Sequence, residues 1–190
     1  MPLNYPVLYK TQDVKGDAIV AQAVQLAIVD AEALWQPEKF DGVYPVKGFG
    51  IRRLLARDFE GAATSSLHIG GSTSMCGWYF SISAASTWES IISNGTLSDS
   101  AYAVITGLFN YDATPDIRKM KITADGIEYP ITPLDEMYGW DIATAYISHP
   151  VIVRPEKAIT VEVKADNSGL KSFGFLGYTI AKRSYLIGKL

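Results

Sequence analysis

The clearest secondary-structure signal in this chain comes from AITVEVKA at residues 158–165 and LKSFGFLGYTIA at residues 170–181. In the first stretch Ile159, Val161 and Val163 alternate with polar residues, which is the period of a strand with one buried face. In the second stretch Phe173 and Phe175 face one way, while other apolar residues face the opposite way. Apolar residues on both faces are typical of a central strand or of a strand that lies against a neighbour.

Further short strands precede these two, separated by turn signals. Residues 117–123 read IRKMKIT, and Asp125 with Gly126 predicts a tight turn into residues 127–131, because Asp-Gly tolerates the positive φ of a hairpin. The cluster at residues 167–169 predicts a second hairpin. With about seven or eight short strands and no alternating helices, the pattern predicts a mainly β fold, an antiparallel β-sandwich or jelly roll, with its β-structure over residues 101–187.

The N-terminal part has a different pattern. Residues 1–16 contain Pro2 and Pro6 and predict an extended arm. Asp17 is a candidate N-cap for a helix at residues 17–34, because apolar residues recur there in steps of three and four. The β-branched residues between Ile19 and Val29 leave a strand as the alternative. We therefore expect an arm at 1–16 and a single β-sandwich domain at 17–190 that includes this candidate helix.

The composition favours contacts between subunits. The 190 residues include 17 Lys and Arg against 20 Asp and Glu, a formal net charge of -3, and 19% are charged while 48% are hydrophobic. Since an average soluble chain has roughly 25% charged residues, we expect more apolar surface than one domain buries alone, and hence oligomerisation. The mild acidity argues against nucleic-acid binding, because such domains concentrate Lys and Arg.

Neither a disulfide nor a targeting segment is expected. Cys76 is the only cysteine, which excludes an intrachain disulfide. The first ten residues lack the basic and apolar regions of a signal peptide, and polar residues interrupt the apolar stretch at 18–35. We therefore expect no export signal and no membrane span.

Candidate nucleophiles and zinc ligands are few. Cys76, Gly77 and Trp78, with His149 downstream as a base, are similar to the surroundings of a nucleophilic cysteine, which would make a hydrolase using Cys76. Because Cys76 lies in an apolar run, where burial keeps a thiol inert, we expect it to be structural. Zinc bound by Cys76, His68 and His149 would need a fourth ligand and closely spaced pairs, which the sequence lacks.

Two other patterns have simple structural explanations. The glycines at 70 and 71 lack the lysine of a phosphate loop. The carboxylates Asp135, Glu136 and Asp141, near Tyr138 and Trp140, could serve a glycosidase or bind calcium, but such clusters are typical of solvated loop charge. We therefore expect no catalytic residue, no metal site and no cofactor, and predict that the protein is not an enzyme.

The C-terminal third supports a family resemblance. It reads PVIVRPEKAITVEVKADNSG and then LKSFGFLGYTIAKRSYLI, a strand marked by proline, an alternating strand, a turn and an aromatic strand interrupted by glycine. Over residues 100–190 this pattern resembles single jelly-roll structural proteins of virus and phage particles. The resemblance implies a virion structural protein, as shell, minor capsid or decoration (cement) component, in a particle assembled in the host cytoplasm. Its partners would be itself and other shell proteins.

The candidate interface residues lie at the two ends of the chain. Residues 1–40 carry three lysines against five acidic residues, so this arm does not suit direct genome binding. Apolar and aromatic side chains at both ends would instead fill or cover a neighbour: Tyr5, Leu8, Tyr9, Tyr185, Leu186 and Ile187. The alternative function is a β-sandwich carbohydrate-binding module that uses exposed Trp and Tyr side chains.

Overall fold

Eleven strands, two helices and one 3₁₀ turn make up the part of the chain that the computed structural model describes, which is residues 8–10, 14–35, 49–59, 78–112, 115–139, 143–182 and 185–186. The strands are β1 (Leu8–Lys10), β2 (Phe49–Arg53), β3 (Tyr79–Ile82), β4 (Trp88–Thr96), β5 (Ala101–Asn110), β6 (Ile117–Ala124), β7 (Ile127–Glu128), β8 (Thr132–Pro133), β9 (Thr144–Val153), β10 (Ala158–Ala165) and β11 (Gly169–Lys182). The helices are α1 (Val14–Leu34) and α2 (Asp135–Gly139), and the 3₁₀ turn is Ala56–Asp58.

The strands form two antiparallel sheets packed as a sandwich, which confirms the predicted fold class. Among the described strands, sheet 1 has the order β1-β9-β5-β11-β2, with β3 also paired to β11. Sheet 2 has the order β4-β10-β6-β7, with β8 also paired to β6. The alternating side chains of both inner faces meet in one core, which includes Ile105, Leu108, Phe173 and Phe175 from sheet 1 and Met120, Ile122, Ile159 and Val161 from sheet 2.

The two strands with the clearest sequence signal have the predicted environments. In β10 the three apolar side chains Ile159, Val161 and Val163 are fully buried. Strand β11 pairs with β5 along one side and with β2 and β3 along the other, so its central position is confirmed.

The helix at the N-terminus is confirmed, but it begins earlier than predicted. Helix α1 starts at Val14 rather than at Asp17, so residues 14–16 do not belong to an extended arm. Gly16 continues the buried stripe of Val20 and Ala23 by one turn, and a glycine has no side chain that would reveal this period. Asp17 lies in the first turn of the helix rather than at the N-cap. A carboxylate in the first turn interacts favourably with the helix dipole.

Helix α1 packs on the outer face of sheet 1. Its alanines Ala23, Ala27 and Ala31 are buried against Tyr102 and Val104 of β5 and Ile180 of β11. Small side chains at steps of four residues let the helix backbone lie close to the sheet. The described chain therefore has three layers in the order α1, sheet 1, sheet 2.

One of the two predicted hairpins is correct and the other is wrong. Asp125 and Gly126 both have positive φ and connect β6 to the adjacent β7. Residues 166–168 instead connect β10 of sheet 2 to β11 of sheet 1, so this turn crosses the sandwich and does not form a hairpin. The turn residues specify where the chain reverses, but not which strand becomes the hydrogen-bonding neighbour. The expected β-structure of residues 101–187 is also interrupted by α2.

Candidate functional site

The outer face of sheet 2 is polar. Apart from Ala158, the outward residues of β10 and β6 are hydroxyl-bearing or charged. Lys121 forms an ion pair of 2.5 Å with Glu162 on the adjacent strand. The hydrogen bond from Lys121 to Glu162 raises the pKa of this lysine. Its Nζ also lies 5.7 Å from the ring centroid of Trp88. Charged and hydroxyl-bearing side chains of this kind are readily hydrated, so this face needs no protein partner to cover it.

The outer side of α1 is apolar by comparison. Its exposed residues include Leu26 and Val29, which are 54% and 51% exposed. Between residues 16 and 34 the helix has no Lys or Arg, and its acidic residues are Asp17, Asp30 and Glu32. We call the following exposed set the helix face: Ala18, Gln22, Gln25, Leu26, Val29 and Ala33.

Strand β2 extends the apolar surface on the same side of sheet 1. Ile51 pairs with Ile180, and cross-strand partners point to the same side of a sheet. Because Ile180 packs beneath α1, Ile51 also faces the helix side, where it is 46% exposed. Arg53 follows two residues later and is exposed on that side as well.

A groove of about 760 Å³ lies between the end of α1 and the turn after β9. Trp35 lines it together with Tyr102, and their rings meet at 76° with 5.3 Å between centroids. Arg154 bridges Asp30 and Asp125, each at 3.3 Å, and the hydrogen bond to Asp125 raises the pKa of Arg154. Because the planes of Trp35 and Tyr102 are nearly perpendicular, these rings do not form the flat aromatic platform that a sugar-binding face requires.

The structure places the predicted N-terminal interface residues within their own sheet. Leu8 is only 2% exposed and belongs to the chain's own core, and β1 pairs with β9. The Leu8 side chain is therefore covered within its own chain, while its expected contact with a neighbour stays a prediction. The backbone of Tyr9 pairs with Tyr146, and Tyr5 lies outside the described residues.

The predicted C-terminal interface residues also have partners in their own chain. The Tyr185 hydroxyl donates to Asp58 Oδ1 at 3.3 Å, and Leu186 packs over Gly50 of β2. Ile187 lies outside the described residues. Since β1 and β2 occupy opposite edges of sheet 1, the structure places Leu8 of β1 and Leu186 beside β2 apart from each other.

The residues considered for catalysis do not form a described site. Cys76, His68 and the glycines at 70 and 71 lie outside the described residues, as do Trp140 and Asp141. His149 is exposed and shares a hydrogen bond of 2.7 Å with its neighbour Ser148. Asp135 is exposed and forms an ion pair with Arg118. Within the described ranges, no group of three or more His, Cys, Asp or Glu is placed to hold a metal ion.

Two buried polar clusters were missed by sequence reasoning. Asp58 is fully buried beside Arg52 and Thr179, and Lys171 forms a buried ion pair with Asp116. No pattern around Asp58 predicts its burial. The burial of Lys171 is indicated by the sequence, because the alternation of β11 places this lysine on the same inward face as Phe173 and Phe175.

None of the helices in the described ranges combines the length and the hydropathy that crossing a membrane requires.

Comparison with known proteins yields little similarity. No family model matches the chain, and no curated protein matches it. Among solved structures, the chain is similar to a ruminal GH26 endo-beta-1,4-mannanase, with 17% identity and a TM-score of 0.29. The match covers 69% of this chain and 25% of the mannanase chain. A superposition of this quality assigns neither a family nor an activity, so the faces described above are the observations that bear on function.

Proposed function

We propose that this protein is a self-associating structural subunit that contacts a second copy of itself through the helix face. The observation that carries the proposal is a contrast between two faces, since α1 and β2 expose Leu26, Val29 and Ile51 on one side of the sandwich while the central strands β6 and β10 of sheet 2 turn mainly charged and hydroxyl groups outward on the other. A role as a shell, minor capsid or decoration component of a virus or phage particle rests on the sequence resemblance of residues 100–190.

The charge distribution favours a second copy as the occupant. The helix face carries no charged residue, with Asp17 and Glu32 at its margins, while Arg53 is the exposed basic residue of β2 on the same side. A surface with an apolar centre, an acidic margin and a neighbouring basic strand is complementary to another copy of itself. Two-fold pairing is also the commonest symmetry among soluble oligomers.

The spacing of the helix face favours an antiparallel pair of helices. If two copies of α1 cross between Gln25 and Leu26, Ala18 of one lies opposite Ala33 of the other, and Gln22 lies opposite Val29. This arrangement keeps the Glu32 carboxylates of the two copies apart, whereas parallel helices would set them side by side. Ile51 and Arg53 of β2 would enlarge the contact toward the roughly 1,000 Å² that a stable interface needs.

Replacing both Leu26 and Val29 by Glu is expected to weaken self-association at least about tenfold, or about 1.4 kcal/mol. Each half-exposed side chain loses apolar burial in both copies of the pair, and the new carboxylates would have to be desolvated. Both positions are on the exposed side of the helix, where Glu is a good helix former, so the fold should be kept. Sedimentation velocity measures the association, and circular dichroism checks the fold.

The matched control replaces Ile127 and Ile131 by Glu. These side chains are 58% and 42% exposed, similar to Leu26 and Val29, but Ile127 belongs to β7 of sheet 2 and Ile131 lies just after β7. The control should associate like the unchanged protein. A helix-face variant that associates as strongly as this control would overturn the proposal.

A further inference from the structure

A buried lysine and a buried aspartate meet between the two sheets. Lys171 Nζ donates to Asp116 Oδ2 at 2.6 Å, and the two side chains are 8% and 6% exposed. Lys171 lies in β11 of sheet 1, opposite Phe80 of β3. Asp116 immediately precedes β6 of sheet 2. The pair therefore connects the two layers of the sandwich and is shielded from solvent.

A second carboxylate contacts the backbone of β11 next to Lys171. Asp112 Oδ1 accepts a hydrogen bond of 2.8 Å from the backbone N–H of Ser172, the residue after Lys171. The other oxygen of Asp112, Oδ2, is buried without a hydrogen-bond partner, and so is Asp116 Oδ1. Burying both of these oxygens without a partner is costly. An ion pair alone leaves this cluster incompletely satisfied.

We propose that Lys171 and Asp116 join through an amide bond between their side chains. One proton passes from the ammonium to the Asp116 carboxylate, and this leaves a neutral amine and a carboxylic acid. Lys171 Nζ then attacks Asp116 Cγ, so the N–C bond forms while the bond from Cγ to the hydroxyl oxygen breaks. One proton passes from the attacking nitrogen to the leaving hydroxyl, which departs as water.

The surroundings favour each part of this reaction. A desolvated lysine amine is a good nucleophile, and the fold holds the amine and the carboxyl in contact, which removes the entropy of bringing them together. The product replaces two buried charges by one neutral amide, and this removes the desolvation penalty of a buried ion pair. The reaction needs no oxidant, metal or cofactor, since its net change is the loss of one water molecule.

The bond would act as a covalent cross-link between the sheets. Its two residues are 55 positions apart in the sequence, so it would close a long loop through the core of the sandwich. A cross-link of this span constrains the unfolded chain in the way that a disulfide does. This chain has one cysteine and cannot form an intrachain disulfide.

The test is the intact mass of the purified full-length protein under denaturing conditions. The expected mass is that of the sequence less one water molecule per chain, and proteolysis should yield one species that joins the peptide containing Asp116 to the peptide containing Lys171. Asp125-Gly126 can also lose water by closing on its own backbone, and the joined peptides distinguish the two events. A full sequence mass, or a water loss located only at Asp125, would overturn the proposal.

Three variants separate the bond from the ion pair. Lys171→Arg keeps the positive charge but lacks the primary amine, so this variant should show the full sequence mass. Asp116→Ala removes the reacting carboxyl, so this variant should also show the full sequence mass. Asp99→Asn changes an exposed carboxylate beyond the opposite end of β5 and should retain the water loss. Retained water loss in Lys171→Arg would contradict the assignment of the amine.

Discussion

Replacing Asp58 by Ala is expected to lower the free energy of unfolding by about 3–5 kcal/mol, because it leaves a largely buried cation without its counter-charge. Asp58 is fully buried and accepts hydrogen bonds from Arg52 Nη1 at 2.8 Å and Thr179 Oγ1 at 2.7 Å. It also accepts one from the backbone N–H of Leu55 at 2.9 Å. The carboxylate therefore joins β2, the 3₁₀ turn and β11, and its loss would leave donors on all three without an acceptor.

Urea unfolding followed by tryptophan fluorescence measures this effect. The matched control is Asp166→Ala, because Asp166 also pairs with an arginine, at 2.6 Å from Arg118, but its side chain is 48% exposed. An exposed ion pair contributes only about 0–1 kcal/mol, so the control should be nearly neutral. Equal destabilisation by the two substitutions would show that Asp58 does not hold β2 to β11.

Replacing Gly177 by Ala is expected to lower the free energy of unfolding by on the order of 3 kcal/mol, which is the upper end of the usual cost of adding atoms to a well-packed core. A Cβ at this position would overlap the carbonyl oxygen of Val104 on β5. The overlap is with backbone and not with the end of a flexible side chain, so β5 and β11 would have to separate. Gly177 lies next to the register shift between β11 and β5, where the two backbones come unusually close.

Gly139 provides the control for this substitution. It ends α2, and a Cβ there would meet no atom within 4 Å. Gly139→Ala should therefore be neutral or stabilising by a few tenths of a kcal/mol, since alanine has less conformational freedom to lose on folding. The thermal unfolding midpoints of both variants give the comparison. A Gly177→Ala midpoint equal to that of Gly139→Ala would contradict the close approach of β5 and β11.

Much of the fold was predictable because its signals are local. The alternation of Ile159, Val161 and Val163 predicts a strand and its buried face, and Asp125-Gly126 predicts a turn from the φ values of two residues. The partners of a strand are not local, which is why the turn at 166–168 was mistaken for a hairpin. The buried contacts of Asp58 with Thr179 and of Asp116 with Lys171 span 121 and 55 residues, and no periodicity predicts such pairs.

The place of the candidate site was not predicted from the sequence. Low charge favoured self-association, and the sequence interpretation located the contact at the two ends, where Leu8, Tyr185 and Leu186 in fact pack within their own chain. The apolar surface of α1 was missed because Gln22, Gln25 and Glu32 made its outer side look polar. Leu26 and Val29 lie outside the buried stripe of the helix, and two large apolar residues at such positions indicate an exposed apolar surface.

Sedimentation equilibrium of the full-length protein, over a range of protein and salt concentrations, tests self-association through the helix face most directly. We expect a mass of at least two copies of the 20.8 kDa chain, maintained at high salt because the contact is mainly apolar and exposed charge pairs add only about 0–1 kcal/mol each. Replacing Leu26 and Val29 by Glu should shift this mass toward one copy. A mass of 20.8 kDa for the unchanged protein at every concentration would show that the helix face does not mediate self-association.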